Sequence, residues 1–96
     1  MSEDFFAPPP FRPDDAIAGL KRQLRELRLA ERAGVFELKG QAIAAVALKD
    51  GAIEARLVKR PARTPEWTTR MLTNAADVRR FVETAKRQLA DWSSDE

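Results

Sequence analysis

Hydrophobic positions in the first third of the chain recur at steps of three and four residues. The stripe consists of Ile17, Leu20, Leu24 and Leu27. This spacing predicts an amphipathic α-helix. Pro13, Asp14 and Asp15 mark its start, because proline suits a first helical turn and acids suit the positive end of the helix dipole. Gly34 is typical of the position just past a helix, so we expect the helix to end before it.

In the next third of the chain the hydrophobic period changes from near four to two, which predicts half-buried β-strands. The alternating segments are residues 35–39, 42–49 and 52–59. Asp50 and Gly51 form a strong signal for a two-residue hairpin turn. Pairing across that turn sets three pairs on one face of the sheet. These pairs are Leu48 with Ile53, Val46 with Ala55, and Ala44 with Leu57.

The last third predicts one more strand and a second helix. Residues 66–72 contain Thr, Trp and Met, which suit a fourth strand, after a proline-containing loop at 60–65. Thr73 and Asn74 can cap a helix, with Asp77 placed like the acid of a capping box. The helix carries the most regular apolar stripe of the chain, made of Val78, Phe81, Val82, Ala85, Leu89 and Trp92.

These elements predict an α+β fold: an N-terminal helix, an antiparallel meander of three to four strands and a C-terminal helix, with both helices packed on one sheet face. We expect one domain at residues 13–92, a flexible Pro-rich arm at 1–12 and an acidic tail at 93–96. The arm should be extended at its prolines. Pro10 of the arm and Pro13 just after it have a spacing that suits a ligand of an aromatic groove.

The composition argues against an enzyme. Histidine, cysteine and tyrosine are absent, and all three serines lie in the predicted tails, so the usual bases, nucleophiles and transition-metal ligands are missing. The adjacent acids Asp14 and Asp15 suit the helix start without any catalytic role. We therefore expect no catalytic site, no metal and no cofactor. An unusual carboxylate or arginine site is the one enzymatic alternative.

The charge is unevenly distributed along the 96 residues. Residues 12–87 hold all 17 basic but only 10 of the 15 acidic residues, a net of +7, whereas the whole chain has +2. A basic body favours an anionic partner, and it is also a common bias of Arg-rich sequences. No apolar run approaches the length of about 20 residues that spans a bilayer, and the acidic N-terminus is unlike a secretion signal. We expect a cytoplasmic protein without a membrane partner.

Two groups of basic residues are candidate binding surfaces. On the first helix, Lys21, Arg25, Arg28 and Arg32 follow helical spacing and predict a continuous cationic edge. Intrahelical pairs of Arg22 with Glu26 and of Arg28 with Glu31 would partly neutralise it. An ordinary solvated face is the alternative.

The second group combines cations with an aromatic side chain. It consists of Arg56, Lys59, Arg60, Arg63, Trp67 and Arg70. Sites for single-stranded nucleic acid use this combination, since cations contact phosphates while an aromatic ring stacks on a base. Trp67 could equally be a core or edge residue of the fourth strand.

Two helices cover one side of a four-stranded sheet and leave the other side uncovered. The residues predicted on that side are Ile43, Ala45, Ala47, Ala52, Glu54, Arg56 and Val58. A homodimer could form through this small, fairly apolar face or through a sheet edge. The leading hypothesis is a small domain that binds nucleic acid through its basic surface. The alternative is a protein-interaction or homodimerisation domain with no nucleic-acid role.

Overall fold

The computed structural model describes residues 11–94, with side chains through Trp92, so residues 1–10 of the predicted arm at 1–12 and the last two residues of the predicted tail at 93–96 lie outside the described part. The fold is α+β, with an N-terminal helix, a five-stranded antiparallel sheet and a C-terminal helix. The helices are α1 (Pro13–Glu26) and α2 (Ala75–Ser94), and the strands are β1 (Ala30–Arg32), β2 (Val35–Leu38), β3 (Gln41–Lys49), β4 (Ala52–Val58) and β5 (Trp67–Leu72). Neither of these two helices combines the length and apolar character needed to cross a membrane.

Helix α1 begins as predicted and ends earlier than predicted. Pro13 occupies the first turn, with Asp14 and Asp15 beside it. The helix stops at Glu26, not just before Gly34, because Arg28 adopts a left-handed backbone conformation with φ 69°. The amide of Arg28 donates to the carbonyl of Arg25 over 2.9 Å, which tightens the last turn. The residues after this end form β1, a strand that the sequence did not predict.

Three of the four hairpins in the meander have the same kind of two-residue turn, and the fourth, between β4 and β5, has a longer loop. The central residues of all three turns have positive φ: Ala33 and Gly34 (52° and 83°), Lys39 and Gly40 (54° and 82°), and Asp50 and Gly51 (51° and 76°). Turns with two positive φ values match the right-handed twist of the strands they join. The sheet order is therefore β1-β2-β3-β4-β5, with one strand more than the three to four predicted.

The predicted register of the central hairpin is confirmed. Leu48 pairs with Ile53, Val46 with Ala55, and Ala44 with Leu57. The side of the sheet that carries Val46 and Ala55, here called the helix face, packs against both helices. Its core also takes in Phe36 and Leu72 from the sheet, Leu20 and Leu24 from α1, and Phe81 and Val82 from α2.

Leu48 has the predicted partner but is not part of the core. Its exposed fraction is 50%. It lies at the end of β3, where an open hollow of about 590 Å³ separates the strand from the first turn of α1. Phe11, just before α1, lines the same hollow and packs against the core.

Helix α2 has the predicted start. The side chain of Asn74 accepts the amide of Asp77 over 2.8 Å, and Asp77 in turn accepts the amide and the hydroxyl of Thr73, each over 3.1 Å. A hydrogen bond from the Thr73 amide is the main cause that lowers the pKa of the Asp77 carboxyl, and partial desolvation opposes it. The helix continues to Ser94, into the first residues of the predicted tail.

Candidate nucleic-acid interface

The side of the sheet opposite the helices is here called the open face. Side chains alternate along each strand, so residues directly paired across the sheet lie on the same side. One such row crosses all five strands: Arg32, Val35, Ala45, Arg56 and Thr69. Here it is called the arginine row. Its two arginines are exposed, and the side chains between them on β2 and β3 are small or half-buried.

Arg56 and Trp67 lie together at one end of the open face. The guanidinium carbon of Arg56 is 5.3 Å from the centre of the Trp67 ring, a cation–π contact between diagonal neighbours on β4 and β5. Trp67 is half-buried, packs against the core and lies directly opposite Val58. The tryptophan is thus a structural residue and a partly accessible one at the same time, so both predicted roles of Trp67 have a basis in its position.

Much of the predicted apolar character of the open face is already buried. Ile43 and Val58 are each 1% exposed, and Ala45 and Ala52 are also buried. Ile43 occupies the irregularity in the β2–β3 register, where Phe36 faces Ala44 and Glu37 faces Ala42. What remains accessible on this face is mainly polar and cationic, with one exposed large apolar side chain, Met71.

An ion pair lies at one end of the open face. Lys49 and Glu54 are diagonal neighbours on β3 and β4, with 3.5 Å between Nζ and Oε2. This pair neutralises the end of the face near the Asp50 turn. The cations of this face without an ion-pair partner among the described side chains are Arg32 and Arg56 in the arginine row, and β2 places one acid, Glu37, on the same side beside that row.

The loop between β4 and β5 separates its predicted binding residues. Lys59 pairs with Glu66 over 3.7 Å, and its amide donates to the Glu66 carbonyl over 3.0 Å. Arg60 lines a hollow of about 460 Å³ with Asp91 and Trp92, so it lies at the C-terminal end of α2. Arg63 is exposed in the loop. Of these three cations, Arg63 alone has neither an ion-pair partner within residues 11–94 nor a contact with the helix layer.

Arg70 lies on the other side of the sheet from Arg56. It alternates with Thr69 along β5 and lines a groove with Phe81 and Thr84 of α2. Arg56 and Arg70 therefore do not act on the same surface, although the sequence grouped them.

The cationic edge predicted on α1 does not form, because α1 ends at Glu26 and Arg28 and Arg32 lie beyond it. Lys21 and Arg25, the two residues of the predicted edge that do lie on the helix, have one of their two charges neutralised by Glu31 of β1. Its carboxylate lies 2.6 Å from Arg25 Nη1 and 3.7 Å from Lys21 Nζ. The predicted pair of Arg28 with Glu31 is replaced by this arrangement. Arg32, by contrast, joins the arginine row through β1.

Sequence reasoning missed Glu31 and Met71 as residues that shape the surface. Glu31 follows helical spacing in the sequence, and nothing local signals that it returns from a strand to meet α1. Met71 could have been found from the alternation of β5, since it shares a side with Trp67 and Thr69. Within the described residues, no group of three or more acidic side chains is placed to hold a metal ion.

Comparison of the chain with known protein families, with curated proteins and with solved structures finds no match in any of the three. We therefore infer function from the placement and chemistry of the residues alone.

Proposed function

We propose that this chain is a binding domain, not an enzyme, and that it binds single-stranded nucleic acid across the open face. The observation that carries the proposal is the Arg56 guanidinium over the Trp67 ring, in line with Arg32 across the sheet. Neither arginine has an ion-pair partner among the described side chains. Both are therefore available to phosphate oxygens.

The arginine row suits a flexible strand. Arg32 on β1 and Arg56 on β4 are separated by three inter-strand spacings across the sheet. At the usual spacing between strands this corresponds to roughly 14 Å between their backbones. Between them lie only Val35 and Ala45, so bases and sugars can approach the sheet without meeting a long side chain. Contacts to two non-adjacent phosphates of one strand, with the bases between them over Val35 and Ala45, are the simplest arrangement that this spacing allows.

Arg56 and Trp67 support stacking as well as charge contact. A planar guanidinium held over an indole is itself a platform on which a base can stack. A base in a duplex is already stacked on both sides and cannot use such a platform. We therefore expect single strands to bind more tightly than duplexes of the same sequence.

The test is fluorescence anisotropy with a labelled single-stranded oligonucleotide and its duplex, each at about 50 mM and about 200 mM salt. We expect the single strand to bind more tightly and its affinity to fall as salt rises, because phosphate contacts release counterions. Arg56→Gln and Arg32→Gln should each weaken binding about 3- to 10-fold at low salt and lower the salt slope by about 0.7.

The matched control is Arg79→Gln. Arg79 is exposed on α2, in the helix layer on the other side of the sheet, so its loss lowers the net charge equally without touching the open face. Binding that weakens as much in this variant as in Arg56→Gln would mean that only total charge matters. Absence of binding at low salt would refute the proposal.

A second candidate function is homodimerisation, favoured by a specific observation at the β5 edge. Within residues 11–94 no strand pairs with the outer side of β5, and Met71 on this strand is 44% exposed. The open face is a weaker candidate for a dimer contact, because its apolar residues Ile43, Ala45 and Val58 are already buried. An assembly contact would therefore use the edge and leave the arginine row accessible.

A further inference from the structure

The backbone of β5 shows which groups are available at the sheet edge. The Lys59 amide donates a hydrogen bond to the Glu66 carbonyl, and the two residues lie opposite one another, next to the paired residues Val58 and Trp67. In an antiparallel pair, such hydrogen-bonded positions alternate with positions whose backbone groups point away. The alternation directs the amides and carbonyls of Trp67, Thr69 and Met71 away from β4. These three residues also carry their side chains on the open face.

The two edges of the sheet differ in how well they can accept another strand. β1 has three residues, whereas β5 has six. Short strands, prolines and lysines are common protections of an edge, and β5 has neither a proline nor a lysine. Four of its residues, from Thr68 to Met71, are exposed. The β5 edge is therefore the better acceptor.

We infer that β5 pairs antiparallel with β5 of a second copy of this chain, about a two-fold axis at Thr69. The inference rests on the second candidate function and specifies its contact. In this register Thr69 faces the partner's Thr69, and Trp67 faces the partner's Met71. All these residues direct backbone groups outward, so the contact forms about six backbone hydrogen bonds. It also places an exposed methionine against a tryptophan ring, a favourable sulfur–aromatic pair.

The neighbouring register is disfavoured by charge and by hydrogen bonding. An axis at Arg70 would set this arginine against the partner's Arg70 in a position without mutual hydrogen bonds, where side chains come closest. Like charges directly opposite destabilise a strand pair. The axis at Thr69 instead sets Arg70 opposite the partner's Thr68, a neutral neighbour that can accept a hydrogen bond.

Helix α2 is compatible with the same symmetry. The charged α2 residues that line the groove beside β5 alternate in sign, with Phe81 and Thr84 between them: Asp77, Arg80, Glu83 and Arg87. Read in the opposite direction, the series becomes base, acid, base, acid. A second helix that runs antiparallel therefore presents the opposite sign at each step. The two-fold axis at Thr69 makes the two copies of α2 antiparallel across the new strand pair. The alternation in sign therefore adds no row of like charges between the two copies of α2.

The pairing joins two five-stranded sheets into one continuous sheet with both open faces on the same side. Each Trp67 then has a neighbour from the other copy, the partner's Met71. The two arginine rows form one longer surface, although each row is complete in a single copy. The dimer can therefore form in a chain that does not bind nucleic acid, and a monomer can bind nucleic acid, so the two proposals are tested independently.

Single-cysteine variants test the register directly, since the chain contains no cysteine. Under mild oxidation Thr69→Cys should form a disulfide-linked dimer, because directly opposite residues are about 5.5 Å apart between Cα atoms. Thr68→Cys and Arg70→Cys should cross-link at least about tenfold more slowly. In this register each of these residues lies two strand positions away from the same residue of the partner, so the distance between the two Cα atoms exceeds the limit of about 7 Å for a disulfide. Preferential cross-linking of Arg70→Cys would overturn the register.

Sedimentation equilibrium of the wild-type chain tests the dimer without any cross-link. The mass should rise with concentration from 10.8 kDa toward twice that value. Thr69→Pro should remain monomeric and folded, because the lost amide faces away from β4, while Thr69→Ala keeps the amide and should dimerise like the wild type. A wild-type chain that stays monomeric at all concentrations would overturn the dimer, even if it binds oligonucleotides.

Discussion

Arg25 and Glu31 form an ion pair of 2.6 Å that joins the last turn of α1 to β1. Lys21 contacts the other oxygen of the same carboxylate at 3.7 Å, and the Glu31 side chain is 20% exposed. Because the three side chains remain partly in solvent, we expect Glu31→Gln to lower the free energy of unfolding by about 0.5 to 1 kcal/mol. The loss should shrink at high salt. Urea unfolding at two salt concentrations measures it.

The control for this prediction is Glu26→Gln. Glu26 is an exposed acid in the last turn of α1, without an ion-pair partner among the described side chains. A carboxylate there is repelled by the negative end of the helix dipole. Its neutralisation should therefore leave the free energy of unfolding unchanged or raise it slightly. Equal losses in the two variants would show that the contact with Arg25 contributes nothing.

The cap of α2 predicts a pH dependence of stability. The pKa of Asp77 is lowered first by the Thr73 amide, then by the Thr73 hydroxyl and by Arg80. A lowered folded-state pKa means that the carboxylate stabilises the fold above its unfolded pKa of about 3.9, and that this contribution disappears as the pH falls through the folded value. The stability difference between wild type and Asp77→Asn should therefore be constant above about pH 5 and shrink below pH 4.

The main cause of the Asp77 shift can be tested separately. Thr73→Ala removes the hydroxyl and keeps the backbone amide, so most of the pH dependence should remain. Urea unfolding between about pH 2.5 and pH 7 measures all three proteins. A pH dependence that is lost completely in Thr73→Ala would assign the effect to the hydroxyl instead.

Gly34 is predicted to tolerate alanine less well than Gly40. Both have positive φ, 83° and 82°, so alanine strains both turns, at a cost of about 1 to 2 kcal/mol. A Cβ atom on Gly34 would also lie 2.9 Å from the carbonyl oxygen of Val46, whereas one on Gly40 meets nothing within 4 Å. We expect Gly34→Ala to be the more destabilising by at least about 1 kcal/mol, measured by chemical denaturation. Equal costs would contradict the close approach of the first turn to β3.

The three turns show why the sequence predicted one hairpin well and missed another. Aspartate and glycine both tolerate positive φ, so Asp50 with Gly51 is a direct signal for the turn. Alanine seldom adopts positive φ, and Gly34 after Ala33 looks like a helix end as much as a turn. The turn forms because it lets β1 pair with β2 and places Gly34 against the backbone of Val46. That is a tertiary contact with no local signature.

The candidate site was predictable in part for a similar reason. Alternation along β4 and β5 places Arg56 and Trp67 on one side, and the strand pairing brings them together. The position of Arg32 depends on β1, a segment for which the sequence predicts helix, so the sequence does not show that Arg32 lies in the same row. The pairing of Lys21 and Arg25 with Glu31 likewise depends on a residue that the fold brings to them from β1.

The most direct test of the proposed function uses Trp67 itself as the reporter. The chain contains two tryptophans, and Trp92→Phe leaves Trp67 as the single emitter in a variant that should stay folded, because Trp92 is only half-buried on α2. On titration with a single-stranded oligonucleotide at low salt, Trp67 emission should be quenched and should saturate at the same concentration as the anisotropy signal. Anisotropy that saturates while Trp67 emission stays constant would place the nucleic acid elsewhere, and no change in either signal would contradict nucleic-acid binding.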